Sequence, residues 1–213
     1  ISTLCPSPTL FLFQLQLLHK VDRNIILQSF SHCISSLQSG NNHINHFINI
    51  SADLLRHREL VDDMLSTAKA HCKNCDELSE NDRPMVIEIT ERELLTDIDA
   101  ALKLLTPFLD FGFKLALDDF GSGMSSYAYL KALPVDYLKI DGMFVKDILV
   151  DPIDKAMVKS INEIGHVFGL KTIAEFVENL EIMAELRKLN VDFAQGYAIS
   201  KPVTIKNLLT ASD

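Results

Sequence analysis

Short apolar runs rich in β-branched residues alternate along this chain with stretches of helical periodicity, and that alternation limits the fold more than any other feature. The runs are His46–Ser51, Met85–Thr90, Lys114–Asp118, Tyr137–Asp141, Lys171–Phe176 and Val191–Ser200. Asp22–Leu37, Ala52–Ala70, Glu93–Leu109, Ile153–Phe168 and Leu180–Leu189 carry apolar residues at three- and four-residue spacing. Such alternation builds βα units on a parallel sheet. The strands are apolar at consecutive positions (VIEI, KLAL, TIAEFV), as a sheet covered on both faces requires. Gly112 and Gly169 stand where helices stop before the next strand. Six or seven such units predict an α/β fold of the TIM-like (β/α) barrel type, incomplete or modified at its first strand, since a full barrel has eight. A doubly wound open sheet is the runner-up, but no Gly-rich fingerprint follows an early strand.

The runs end in polar groups: Asn49 and Ser51, Glu88 and Glu91, Asp118 and Asp119, Lys139 and Asp141, Glu175 and Glu178, and Gln195. In a parallel barrel all strand C-termini open on one mouth, so residues distant in sequence converge there. Carboxylates gathered in that way repel one another unless cations lie among them. A donor set of carboxylates and an amide, without His or Cys, favours Mg²⁺ or Mn²⁺ over zinc. The adjacent Asp118 and Asp119 suit a two-metal centre in which one carboxylate bridges ions about 4 Å apart. Taken singly, Glu88, Glu178 or Asp141 reads as a helix cap, because acids are favoured beside the positive end of a following helix. Lys139 alone reads as a salt-bridge partner. Capping does not, however, call for acids just inside one apolar strand after another. The loop Gly121–Ser126 (GSGMSS) suits a tight or mobile turn beside a site.

A net charge of −9 argues against DNA or RNA as partner, since nucleic-acid binders cluster Lys and Arg. A phosphate ester would here need bound metal to supply positive charge. The four cysteines, Cys5, Cys33, Cys72 and Cys75, are too few for a disulfide framework and suggest a reducing, cytoplasmic setting. Cys72 and Cys75 lie beside His71, but their surroundings (KNCDELSEND) read as a solvated loop. The apolar run Leu10–Leu18 is too short to span a bilayer, and no basic stretch precedes it as in a signal peptide. With ISTLCPSPTL and no Met at its start, the chain reads as a piece of a longer polypeptide.

In order, NIS (Asn49–Ser51), EITE (Glu88–Glu91), DDFGSGMSS (Asp118–Ser126), LPVDYLKID (Leu133–Asp141), AEFVE (Ala174–Glu178) and QGYAISKP (Gln195–Pro202) resemble the successive motifs of the EAL family of cyclic di-GMP phosphodiesterases. The resemblance covers about residues 20 to 205, leaving 1–20 poorly matched and 21–213 as a single EAL-like domain. It implies that Asn49, Glu88 and Asp118 ligate one metal while Asp118, Asp119 and Glu175 hold a second. It also implies that Lys139 positions the attacking water, that Glu91 anchors the DDFGSG loop, and that Gln195 and Asp141 lie near the nucleotide. The implied reaction is hydrolysis of cyclic di-GMP to linear pGpG. A homodimer formed through the DDFG loop region, and an upstream sensor or cyclase domain, are further implications.

Two departures qualify that picture. The family's name-giving first-strand motif has no counterpart, for the first Glu in the chain is Glu59. Phe176 stands where the family commonly has Gly. Losing a ligand from a two-metal site costs metal affinity and phosphate orientation together. The competing expectation is therefore a catalytically inactive cyclic di-GMP receptor or a protein-interaction module, with a nuclease as a distant third.

Overall fold

A computed structural model describes residues 18–38, 45–71, 84–90, 98–122 and 127–204. Glu91, Cys5, Cys72, Cys75 and the loop stretch 123–126 lie outside them. The chain divides into two compact units, Ile1–Leu117 with Tyr127–Asp136, and Asp118–Ser126 with Tyr137–Asp213. The strands run in sequence order, β1 to β6, and β3 passes from the first unit into the second.

In the first unit, α1 (Leu18–Gln38) buries Ile26 and Phe30. β1 (His46–Asn49) pairs in parallel with β2 (Met85–Thr90), placing His46 opposite Met85 and Asn49 opposite Glu88. The Ser51 side chain caps α2 (Ala52–Arg56) by accepting from the Leu54 N–H at 3.2 Å. One helix over Ala52–Ala70 is the expectation from periodicity. The structure instead breaks it at His57 (φ −93°, ψ 76°), and α3 (Arg58–His71) begins afresh. α3 buries Val61, Met64, Leu65 and Ala68, the three- and four-residue spacing of an amphipathic face. α4 (Ile98–Asp110) ends at Gly112, whose φ of 89° is the left-handed turn that a glycine adopts at low cost. Beyond it Phe113 meets Phe30, Phe108 and Phe111, with ring centroids 5.3–6.0 Å apart. The first half of β3 (Lys114–Phe120) and the short α5 (Ala128–Ala132) complete this unit.

The second unit holds Asp118–Phe120 of β3, then β4 (Tyr137–Ile140), α6 (Gly142–Val145), α7 (Pro152–Val167), β5 (Lys171–Ala174), α8 (Leu180–Lys188) and β6 (Phe193–Ala194). β4 and β5 pair in parallel from Tyr137–Lys171 to Ile140–Ala174, and β5 pairs in parallel with β6. All four residues of β4 are buried. Asp151 caps α7 with Pro152 next to it, and Asn179 caps α8. α7 buries Val158, Ile161, Asn162 and Gly165 against the strands. β5 stops at Ala174, short of the expected Phe176, because Phe176 adopts φ 54°. The expected strand Val191–Ser200 contracts to two residues before a turn at Gly196–Ile199.

Among the described residues, parallel pairing with helices between successive strands gives the order of an incomplete TIM-like α/β barrel. No described helix is long and apolar enough to cross a membrane.

Candidate functional site: an acidic cluster at the strand ends

β3 carries Asp118 and Asp119 at its C-terminal end, β4 carries Lys139 one residue from its end, and Glu175 follows the last residue of β5. Parallel pairing of β4 with β5 keeps these ends level, since Lys139 faces Ile173 and Ile140 faces Ala174. One carboxylate oxygen each from Asp118, Asp119 and Glu175 lies within 4.8 Å of the others. Lys139 sits between two of them, its Nζ 2.9 Å from Asp118 Oδ1 and 2.8 Å from Glu175 Oε1.

Asp118, Lys139 and Glu175 are all buried, and Asp119 is half-buried. Among the described residues of this cluster, one ammonium faces three carboxylates in a place poorly reached by water. Glu175 registers that imbalance. Burial pushes its carboxyl above the usual range, the Lys139 ion pair pulls it back, and Asp118 and Asp119 raise it again. An all-oxygen, net-negative donor set is what a hard divalent cation takes.

The backbone around Asp119 is specialised. Asp119 adopts φ 53°, a conformation that Asp tolerates better than most residues, and its N–H donates to Asp118 Oδ1 at 3.0 Å. The Asp119 carbonyl accepts from the N–H and hydroxyl of Ser122, closing the turn. Gly121 (φ 104°) lies so close to α6 and α7 that a Cβ would stand 2.9 Å from both Ile161 Cδ1 and Phe144 Cε2. Gly121 and Ser122 therefore form a turn packed closely against α6 and α7 directly after the two aspartates.

Other residues singled out from sequence fall as follows. Asn49 is the exposed last residue of β1, and opposite it on β2 lies buried Glu88, so the amide and the acid are strand neighbours in the first unit. Asp141 caps α6, with Oδ1 accepting from the Met143 N–H at 2.8 Å. Gln195 lines an open cleft of about 240 Å³ together with Glu175, Phe176, Glu178, Gly196 and Tyr197. The Gln195 N–H and carbonyl bond Ala174 and Val177, which ties this turn to the end of β5. Tyr197 is a lining residue that the sequence reading does not single out, and its place two residues after Gln195 in the QGY string is the signal that could have found it. Phe176 is 60% exposed, with its ring against Gly142, where a Cβ would collide with it.

A cluster of acids able to hold a metal ion, at the C-terminal strand ends of a parallel β/α fold, defines a class of protein, and the comparisons name the family. The EAL domain model matches residues 7–202, and the chain belongs to the EAL domain family of cyclic di-GMP phosphodiesterases. It is 50% identical over 115 residues to the cyclic di-GMP phosphodiesterase PdeB of Shewanella oneidensis, a stretch covering 54% of this chain and 13% of that protein. Against the bifunctional diguanylate cyclase/cyclic di-GMP phosphodiesterase MucR of Pseudomonas aeruginosa it is 33% identical over 175 residues, covering 82% of this chain and 24% of MucR. The chain thus spans a quarter or less of the length of these two curated relatives. Among solved structures, PaMucR phosphodiesterase in its c-di-GMP complex superposes with a TM-score of 0.85 at 28% identity, over 94% of this chain and 78% of that one. The EAL domain of Mycobacterium smegmatis DcpA gives 0.79 at 29% identity, over 91% and 84%.

Proposed function

We propose that this chain is the phosphodiesterase domain of a cyclic di-GMP signalling protein, hydrolysing cyclic di-GMP to linear pGpG with Mg²⁺ or Mn²⁺. The observation that carries the reading is the gathering of Asp118, Asp119 and Glu175 within 4.8 Å around Lys139. Those three residues would hold a cation, and Asn49 and Glu88 supply the same kind of donor at the strand ends of their own unit. A divalent ion bound there supplies charge neutralisation for the phosphate and an acidified water as nucleophile.

The chain's own groups do the positioning. Lys139 Nζ holds Asp118 and Glu175 in place and is the donor at hand to orient the attacking water. In the reaction the water oxygen bonds to phosphorus in line, the opposite P–O3′ bond breaks, and the released 3′-oxygen takes up a proton. Gln195, in the cleft beside Glu175, is the amide placed to hydrogen-bond the nucleotide. Asp141 supports the site at second hand by capping α6, and Glu91 is proposed as the anchor of the DDFGSG loop. An upstream sensor or cyclase domain fits the greater length of the relatives, and pairing of two copies through the DDFG loop region is proposed beside it.

Incubating the protein with cyclic di-GMP and Mg²⁺ or Mn²⁺ and separating the nucleotides tests this directly, with pGpG as the expected product. A second reading is cyclic di-GMP binding without turnover. Saturable binding with no pGpG formed would establish that reading and reject the first.

A further inference from the structure

A second group of metal-type side chains lies in the first unit, unconnected with the acidic cluster. His19 is in the first turn of α1, Asp53 is in the first turn of α2, and His57 ends α2. His19 Nδ1 stands 3.0 Å from Asp53 Oδ2, and the His19 backbone N–H donates to the same oxygen at 3.3 Å. The imidazoles of His19 and His57 lie face over face, with centroids 4.1 Å apart and planes tilted by 33°. One donor atom from each of the three residues falls within 4.8 Å of the others.

The frame around them is fixed independently. Asp22, one turn along α1 from His19, accepts from the backbone N–H and hydroxyl of Ser51, the residue that caps α2. Arg23 pairs with Asp63 of α3. α1 is thereby held against α2 and α3 whether or not His19 takes part. A simple His19–Asp53 clasp accounts for two of the three residues and gives no role to the second imidazole.

We propose that His19, Asp53 and His57 bind a divalent transition-metal ion of the zinc type, with water completing the shell. Two imidazoles and a carboxylate are donors that zinc, cobalt and nickel accept, in contrast to the all-oxygen acidic cluster. Metal–ligand bonds of about 2.0–2.1 Å in a tetrahedron place donor atoms roughly 3.3 Å apart. The His19–Asp53 pair is already near that spacing, and rotation of the half-buried His57 side chain closes the remainder. Tightening α1 onto the break between α2 and α3 gives such an ion a structural role, and the helix break that sequence periodicity does not foresee is what turns His57 toward His19.

The test is calorimetric titration with Zn²⁺ in excess Mg²⁺, comparing the unaltered chain with His57→Ala, His57→Gln, Asp53→Asn, the Cys72→Ser/Cys75→Ser pair and Asp119→Asn. Folding of each variant is checked by circular dichroism. The unaltered chain is expected to bind one more Zn²⁺ than either His57 variant, and Asp53→Asn to weaken that ion at least tenfold. The Cys pair and Asp119→Asn should retain it. Equal stoichiometry and affinity in the unaltered chain and both His57 variants overturns the proposal, as does loss of the ion only with Cys72/Cys75 or Asp119. Nucleotide hydrolysis is scored separately, so failure of either assignment leaves the other standing.

Discussion

The two ends of β5 carry lysine–carboxylate networks built on opposite ratios of charge. Beyond its C-terminal end, three carboxylates (Asp118, Asp119, Glu175) cluster, and Lys139 bridges two of them, Asp118 and Glu175. At its N-terminal end one carboxylate, Asp192, collects donors: Lys171 Nζ at 2.7 Å, His166 Nε2 at 2.8 Å, and the Thr172 N–H at 3.0 Å and hydroxyl at 3.2 Å. Buried Thr172 and Asn162 extend that network to the Leu189 carbonyl. Burial alone would raise the Asp192 carboxyl, but its hydrogen bonds, from Lys171 first and then Thr172 and His166, hold it far below the usual carboxylate range. Glu175 moves the other way. Surplus donors make a clasp, whereas gathered acids make a place that a cation could take. The contrast follows the division of labour in β/α barrels, with chemistry at strand C-termini and stability at the other face.

The sharpest way to break this comparison is to remove one acid from each end. Asp119→Asn should lower pGpG formation by about 100-fold or more, the usual scale for losing a group that serves the transition state. Asn tolerates the positive φ at this position and the change relieves like-charge crowding, so urea midpoints should hold steady or rise. Asp192→Ala should do the reverse. It leaves the Thr172 N–H without its acceptor, while the hydroxyl keeps Asn162 Oδ1, and should cost about 1–3 kcal/mol in urea denaturation, with kcat nearly unchanged. An Asp119→Asn protein that unfolds more readily than Asp192→Ala would remove the distinction.

Acid titration sharpens it further. The folded-state pKa of Asp192 lies below its unfolded value of about 3.9, so the folded chain releases that proton more readily than the unfolded one. Its stabilisation is fully present above that unfolded value and is lost as pH falls through the lower folded value. The stability gap between the unaltered chain and Asp192→Asn should stay constant from pH 8 to pH 5 and narrow only below about pH 4. A gap that already closes above pH 5 would show that the Asp192 carboxylate is not its source.

Much of this was legible in the sequence, and the failures have physical causes. Apolar runs long enough to bury both faces announced β2, β3 and β4, and Gly112 and Gly169 marked helix ends that the structure confirms with φ of 89° and 75°. Asp118, Asp119 and Glu175 stood out because acids just inside apolar strands have no capping explanation, whereas Lys139 reads by itself as a salt-bridge partner, and the structure pairs it with Asp118 and Glu175. Asp141 shows the opposite case, an acid at a strand end that does cap a helix, and only coordinates separate the two. The break at His57 has neither Gly nor Pro to signal it. The end of β5 was missed because nothing in AEFVE advertises the left-handed backbone of Phe176. His19 and Asp53, 34 residues apart, meet only through the packing of α1 on α2, which periodicity does not encode.

The smallest effect offers the cleanest separation of the two ends, through their glycines. Gly169, before β5, has φ 75° and open space where a Cβ would stand, so Gly169→Ala meets only the backbone penalty of the left-handed region, about 1 kcal/mol. Gly121, after Asp119, carries a backbone penalty as well and adds steric contact with Ile161 and Phe144. Relief of that contact has to shift Ile161 and the Phe144 ring or else the turn beside Asp118 and Asp119. Gly121→Ala should therefore lose activity out of proportion to its stability, while Gly169→Ala keeps kcat/KM within about twofold, as a surface backbone change remote from the chemistry should. Equal activity losses in the two variants would mean that the GSG turn is a spacer and that the aspartates are positioned by β3 alone.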